Sequence, residues 1–438
     1  MTATCERGEL RVVQESGCLS THGTARRAVL AAGLLSVLPL WAGQRRKLTV
    51  AAFPNVDAIV RAAVPQWQRL HPEIDIEVVS RQYIDHHTAM TTALSTSVYL
   101  PDVMALESSY VGRFAQGGGL EDLSRAPYHV DQLRARYVAY AYEQAINRRG
   151  EVVAVPTDIG PGTMIYRADI LSKAGLTDTD LTPTWEAYVE AGVKIKAATG
   201  AYLIANAQAL KDIVIRSGIR AGEGLYFDQD SRVLVTSPRF VRAFTLARKV
   251  RRNKLDARVT PWSNEWAEGF KRGTLATELS GAWMVGQLAS WVAPDTRGLW
   301  RAAQLPEGTF VGYGGTYYAL PSQASAANRT LAWELVQLLT LNRELQFAAF
   351  KSQDAFPALL ETHDDPFFEQ PIPFLGGQQA RRLWRDAARR ITATKVHKQN
   401  NFADEVVGTE LDNVLDYDKD IGRALADAHR LLERRAHR

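Results

Sequence analysis

Between residues 47 and 106 the apolar positions alternate between two periods. Lys47-Leu-Thr-Val-Ala-Ala-Phe53 reads as a strand that ends at Pro54-Asn55. From Asp57 to Leu70 the residues Ile59, Ala62, Ala63, Trp67 and Leu70 recur at the spacing of one helix face, and His71-Pro72 stops the run. Ile74–Val79 alternates apolar with polar, as a second strand does. A helix is expected around Thr88–Ser97, and Pro101–Leu106 is a third strand. Strands alternating with helices specify a parallel sheet in an α/β domain. In such sheets ligands sit beyond the carboxyl ends of the strands. The positions this marks are Asn55, Arg81 with Tyr83, and Glu107 through Tyr110.

Further along, Val152–Val155 is a strand that Pro156 breaks, and Met164–Tyr166 resumes one. Between them Thr157–Gly162 carries two glycines, a proline and Asp158, and fits either an active-site loop or a crossing between domains. Pro183–Tyr188 opens a helix with Thr184 as N-cap. Residues from about 190 to 300 are mostly helical by pattern and carry exposed-looking tryptophans at 262, 266, 283, 291 and 300. Gly312–Tyr318 is a second glycine-rich turn, followed by a helix over Ala332–Leu341.

The beginning of the chain is different. Arg26-Arg27 precedes Ala28–Ala42, a 15-residue apolar run. A membrane span needs about 20 residues, so residues 1–43 read as a signal peptide cleaved after Ala42 or Gly43. A Sec signal and a twin-arginine signal fit equally. Gln44 stands where a lipoprotein would need cysteine, so the mature protein is expected to be soluble and exported.

Composition narrows the chemistry. At 438 residues the chain is too long for one core, and two or three domains are expected. The net charge of +4 carries no nucleic-acid footprint. Both cysteines, Cys5 and Cys18, precede residue 20, which removes thiol chemistry from the body of the chain. Gly117–Gly119 reads as a helix end, and neither it nor Gly312–Gly315 has the spacing of a phosphate loop. His86-His87 places adjacent side chains in different directions, which argues against shared metal ligation. No metal or cofactor is expected. A glycosidase-like carboxylate pair is not visible in a sequence, so a secreted carbohydrate-active enzyme stays open as the alternative.

Several stretches carry a resemblance: Pro101-Asp-Val-Met-Ala-Leu-Glu-Ser-Ser-Tyr-Val-Gly-Arg-Phe-Ala-Gln-Gly-Gly-Gly-Leu-Glu-Asp-Leu123, Val155–Tyr166, Ala174-Gly-Leu176, Pro183–Glu186, Phe270–Gly273, Leu279-Ser-Gly-Ala-Trp283, Gly314-Gly-Thr316 and Ala424–Ala428. In this order and spacing they resemble family 1 extracellular solute-binding proteins of ABC importers, the group that includes maltose- and trehalose-binding proteins. The resemblance implies an α/β fold of two lobes, the class II-like periplasmic-binding-protein fold, with ligand in the cleft between them. Carried onto this chain, the N-lobe is 44–157 plus 316–365 and the C-lobe is 158–315 plus 366–438. The chain crosses between lobes near Thr157–Gly160 and Gly312–Thr316, where glycines would absorb hinge motion.

The resemblance also implies a site. Asn55, Arg81 and Glu107 match positions that hydrogen-bond sugar hydroxyls, with Ser109 and Tyr110 in the same loop. Asp158 is either a ligand contact or a cap of the crossing turn. Trp283 matches a stacking tryptophan, while Trp262, without motif support, is read as core. Gly315 and Thr316 depart from a frequent Gly-Gly-Trp: Thr316 cannot stack, and Tyr317 is the nearby aromatic that would compensate. Phe402, beside Asn401, lies where some relatives contribute an aromatic. Arg81 is the one basic residue of this set, which favours a neutral sugar over glycerol-phosphate or another polar solute. The implied protein is a non-catalytic, monomeric periplasmic sugar binder whose partners are two permease subunits and an ATPase.

Overall fold

The computed structural model describes residues 45–115, 118–220 and 222–436. The expected signal segment, residues 1–43, and Gly117 lie outside the described residues. Strand β1 (Arg46–Ala52) leads into helix α1 (Val56–Leu70), β2 (Ile74–Ser80), helix α2 (Tyr83–Thr96), β3 (Val103–Glu107) and helix α3 (Ser108–Ala115). β1 pairs in parallel with β2 from Arg46↔Ile74 to Ala52↔Ser80, and with β3 at Val50↔Val103. This is the parallel α/β unit that the two alternating periods specify. α1 buries Val56, Val60, Ala63 and Trp67, and the Trp67 indole donates to the Ile74 carbonyl (3.2 Å), which fixes helix to strand. Leu70, expected on that face, is exposed instead.

α2 starts five residues before the expected Thr88. Its first turns are polar in sequence, yet His86 and His87 are its buried face. His86 Nε2 bonds the Ala105 carbonyl (2.7 Å), and the Glu107 N–H donates to His87 Nε2 (3.1 Å). The two rings stand at 89°, in the different directions expected of neighbours.

The chain continues with β4 (Val155–Arg167), helix α4 (Trp185–Thr199), β5 (Thr277–Gly281), β6 (Trp300–Ala303), β7 (Gly312–Ala319) and β8 (Phe356–Pro357). β4 corrects the expected break at Pro156: it is one strand of thirteen residues. Its register against β7 slips between Pro156 and Asp158 and again between Ile159 and Pro161. Bulges of this kind accommodate prolines that cannot donate to a ladder. The first half of β4 pairs with β7 and β8, and the second half with β5 and β6. Six of the eight strands follow the path β2-β1-β3-β7-β4-β5, and β6 and β8 pair with β4 beside it. Helix α4 is capped as expected, with Thr184 Oγ1 accepting from the Ala187 N–H (3.0 Å).

Buried apolar side chains form two clusters. One gathers β1, β3 and α1 with Trp266, Phe270, Trp300 and Trp333. The other joins Met164, Trp185, Tyr188 and Phe244 to Leu411 and Leu425 near the end of the chain. Trp266 and Trp300, which look exposed in sequence, are both buried. Among the described residues, no helix is long and apolar enough to cross a membrane.

Candidate functional site

A cleft of about 1540 Å³ opens where β4 and β7 pair. One wall comes from the carboxyl ends of the parallel strands: Phe53 and Asn55 after β1, Gln82 and Tyr83 after β2, Glu107 and Ser109 at the end of β3. Its floor is Asp158 with Gly312–Thr316, and its far wall holds Trp262, Trp283, Trp291, Asp212, Arg216, Asn400, Asn401 and Asp404.

On the first wall Asn55 sits at φ 74 and makes no capping bond to α1, so its amide stays available to the cleft. Glu107 is held from several sides. Its carboxylate accepts from Tyr83 Oη (2.9 Å), Ser108 Oγ (2.7 Å) and the Ser109 N–H (2.9 Å), and also from Ser109 Oγ. Burial, with Glu107 adding to it, pushes the Tyr83 phenol up, so Tyr83 remains a donor. Two expected contacts do not reach this wall. The Arg81 side chain is exposed outside the cleft, its backbone N–H tied to the Ala52 carbonyl (3.2 Å). Tyr110 is turned onto His87, stacked at 3.9 Å and 16°.

On the floor, Asp158 pairs with Thr316 and Ile159 with Gly315, so the two expected crossings are paired with each other. Desolvation pushes the Asp158 carboxyl up to about 7, against hydrogen bonds from Thr316, with the Glu107 charge adding to the rise. Gly315 adopts φ 123, a conformation that glycine alone reaches without strain. Tyr317 does not compensate for Thr316. Alternation along β7 turns its ring into the core, where its hydroxyl donates to the Ala141 carbonyl (3.0 Å) and to Gln144 Oε1 (3.1 Å).

The far wall holds the missing aromatic surface. Trp283 follows β5, is half-buried, and donates Nε1–H to the Tyr313 carbonyl on β7 (2.9 Å). A Cβ on Gly160 would lie 1.9 Å from that carbonyl, and one on Gly281 would lie 2.3 Å from Trp283 Nε1. The glycines therefore leave the space in which indole and crossing strand meet. Trp262 overturns its reading as core: it is 52% exposed and lines the cleft. It lies 6.0 Å from Trp283 at 15° and 6.2 Å from Trp291 at 25°.

Beside these rings lies a charged group that the sequence did not disclose. Lys211, Asp212, Arg216, Tyr226 and Asp404 converge from segments almost 200 residues apart, and Tyr226 Oη donates to Asp404 Oδ1 (2.5 Å). Although burial raises it, Lys211, Tyr226 and Arg216 together hold the Asp404 carboxyl below its ordinary value. The Arg216 guanidinium lies over the Tyr313 ring at 5.2 Å. Oδ1 of Asn400 and of Asn401 is buried without a protein partner, which leaves both for water or a ligand donor. Phe402 faces away from the cleft under the Arg435 guanidinium (4.1 Å). No signal in sequence joins these residues: Lys211 and Asp212 lie in one helix, Arg216 in the turn after it, Tyr226 in an irregular segment and Asp404 in a helix near the end of the chain. Arg216 and Arg390 also replace Arg81 as the cations of the cleft. Among the described residues no group of three or more His, Cys, Asp or Glu is placed to hold a metal.

Comparison with known proteins agrees with this architecture. The chain is 26% identical over 420 residues to a lactose-binding protein of Rhizobium radiobacter, covering 89% of this chain and 94% of that one. It is 24% identical over 176 residues, 40% of each chain, to an arabinooligosaccharide-binding protein of Bacillus subtilis. Among solved structures, an ABC transporter associated binding protein from B. animalis subsp. lactis, in complex with β-1,6-galactobiose, superposes with a TM-score of 0.75. It is 20% identical, and the match covers 90% of this chain and 98% of that one. A family 1 extracellular solute-binding protein superposes with a TM-score of 0.78 at 22% identity, covering 90% of this chain and 100% of the other. The sequence model of the bacterial extracellular solute-binding proteins matches residues 52–345. With two thirds of its length inside that match, the chain belongs to the bacterial extracellular solute-binding proteins.

Proposed function

We propose that this protein is the exported receptor of an ABC importer, and that it captures a neutral sugar in the cleft and delivers it to the membrane permease. The observation that carries the reading is the pairing of an aromatic wall with a polar one. A sugar ring offers a C–H face that packs on an indole and a rim of hydroxyls that bond to amides and carboxylates. Trp283 supplies the first, and Asn55, Glu107 and Asp158 the second. The lactose-binding and galactobiose-bound relatives support a saccharide ligand. A phosphorylated solute would want several unpaired cations, whereas of the two cations of the cleft Arg216 has Asp212 and Asp404 beside it and Arg390 lies over the Phe310 ring (3.9 Å). The division into lobes at 157/158, 315/316 and 365/366, hinge closure on ligand, and removal of residues 1–43 during export into the periplasm belong to the same proposal. A thermal-shift panel of neutral sugars and sugar phosphates tests it. Stabilisation by a neutral saccharide is expected, and stabilisation by phosphorylated solutes alone would sink the reading.

A further inference from the structure

Trp283 accounts for one stacking surface, yet the far wall carries three. Trp262 and Trp291 are 52% and 49% exposed, and both open into the cleft beside Trp283. Leaving two large indoles half in water forgoes burial of apolar surface, and such patches mark binding surfaces. The rings are also ordered. Successive centroids are 6.0 and 6.2 Å apart and successive planes turn by only 15° and 25°, in the order Trp283, Trp262, Trp291. One end of the row is tied to the crossing strand through Trp283 Nε1.

The row is held in place at some cost. Trp262 has φ 68, a left-handed conformation that a bulky residue rarely adopts. Strain of this kind persists where the surroundings over-determine it, and it clusters at ligand clamps. Behind Trp262 the buried Trp266 ring packs at 5.0 Å. Trp291 lies in a π-helical turn, Leu288–Val292, an irregularity found often at functional sites. Its indole N–H donates to Gln287 Oε1 (2.7 Å), which fixes the ring's orientation. The cleft volume of about 1540 Å³ also exceeds the roughly 300–1,000 Å³ of ordinary small-molecule pockets.

We propose that Trp283, Trp262 and Trp291 are three successive stacking positions, so that the cleft takes a linear oligosaccharide of at least three rings, with Trp262 and Trp291 reading its length. This rests on the sugar reading above and adds the ligand's size to it. Rings laid along near-parallel indoles each present a C–H face, while the hydroxyl edges turn to the opposite wall.

Calorimetric titration tests this with three series of one to four units: galactose and β-1,6-galacto-oligosaccharides, arabinose and α-1,5-arabino-oligosaccharides, glucose and malto-oligosaccharides. In the series that binds, affinity is expected to rise about tenfold from the dimer to the trimer, as one further aromatic contact provides. In Trp291→Ala that trimer-to-dimer ratio falls to near one, and in Trp291→Phe most of it persists. Equal affinities for dimer and trimer in the wild-type protein would overturn the proposal, as would a ratio that Trp291→Ala leaves intact. Should the alanine variant fail to fold in urea melts, the wild-type ratio and Trp291→Phe decide. Absence of binding in all three series at millimolar concentration would instead remove the sugar reading itself.

Discussion

Trp283 has two duties that its substitutions separate. Its face is open to the cleft, while its N–H reaches the Tyr313 carbonyl. Trp283→Ala removes both, and central aromatic anchors cost about 2–4 kcal/mol of binding on truncation, a loss of roughly thirtyfold or more in affinity. Stability is expected to fall by less than the about 3–5 kcal/mol of a fully buried tryptophan. Trp283→Phe keeps a stacking face and gives up one hydrogen bond, about 0.5–1.5 kcal/mol. Titration calorimetry and urea melts of the ligand-free variants read the two quantities apart. Asp158 offers a test by pH. Its carboxyl is pushed up by desolvation to about 7 in the folded protein, from an ordinary 3.8. Between those values the folded state binds the extra proton, so this group's contribution to stability falls as pH rises from about 4 to 7. Asp158→Asn is expected to flatten that part of the stability profile, measured by urea melts at pH 5 and pH 8, and an unchanged slope would contradict the assignment. What was legible at this scale followed motif and strand order. Asn55, Glu107 and Ser109 stand where strand ends place them, and Trp283 sits in its Gly-Ala turn. Trp262 was misread because nothing in Pro261-Trp-Ser263 tells a half-exposed ring from a buried one. Arg216 and Asp404 were missed because their meeting is purely tertiary.

Among the elements, β4 decides most. Pro156 reads as a breaker in a one-dimensional pattern, yet two register slips let a single strand run through it and through Pro161. The strand therefore brings Asp158 to the cleft floor and then goes on to pair with β5, which ends beside Trp283. α2 was under-read for the opposite reason. Its first turns look polar, but two buried histidines with hydrogen-bond partners form its packing face. Patterns in the hydrophobic residues thus found α1, the strands flanking it and α4 with its cap, and failed where polar side chains are buried or proline is tolerated. The tightest point of β4 gives a prediction. A methyl at Gly160 would meet the Tyr313 carbonyl at 1.9 Å, a backbone atom that cannot turn aside. Gly160→Ala is expected to cost about 1–3 kcal/mol in urea melts, the usual range for overpacking, and to weaken ligand binding because Trp283 shares that carbonyl. Wild-type stability and affinity in this variant would show that the crossing strands yield without consequence.

For the whole molecule, the β4–β7 pair connects the cleft floor to both clusters of buried side chains. If the glycines along it serve as a hinge, small-angle scattering should report a smaller radius of gyration at saturating ligand, and an identical profile would argue for a cleft that does not close. The sheet has a further consequence, for the order in which the chain is made. β3 meets its inner neighbour only at β7, with Glu107 opposite Thr316, about 210 residues later in the chain. At about 5–20 residues per second of synthesis, that is roughly 10–40 s during which β3 has no partner on that side. A fragment of residues 45–311 is accordingly expected to be degraded by trypsin far faster than the full chain, and equal resistance would show that the early strands close without β7. The inner edge of β3 thus stays without its partner until β7 (Gly312–Ala319) has been made. Strand order by itself then sets the earliest moment at which the sheet can close, without a chaperone.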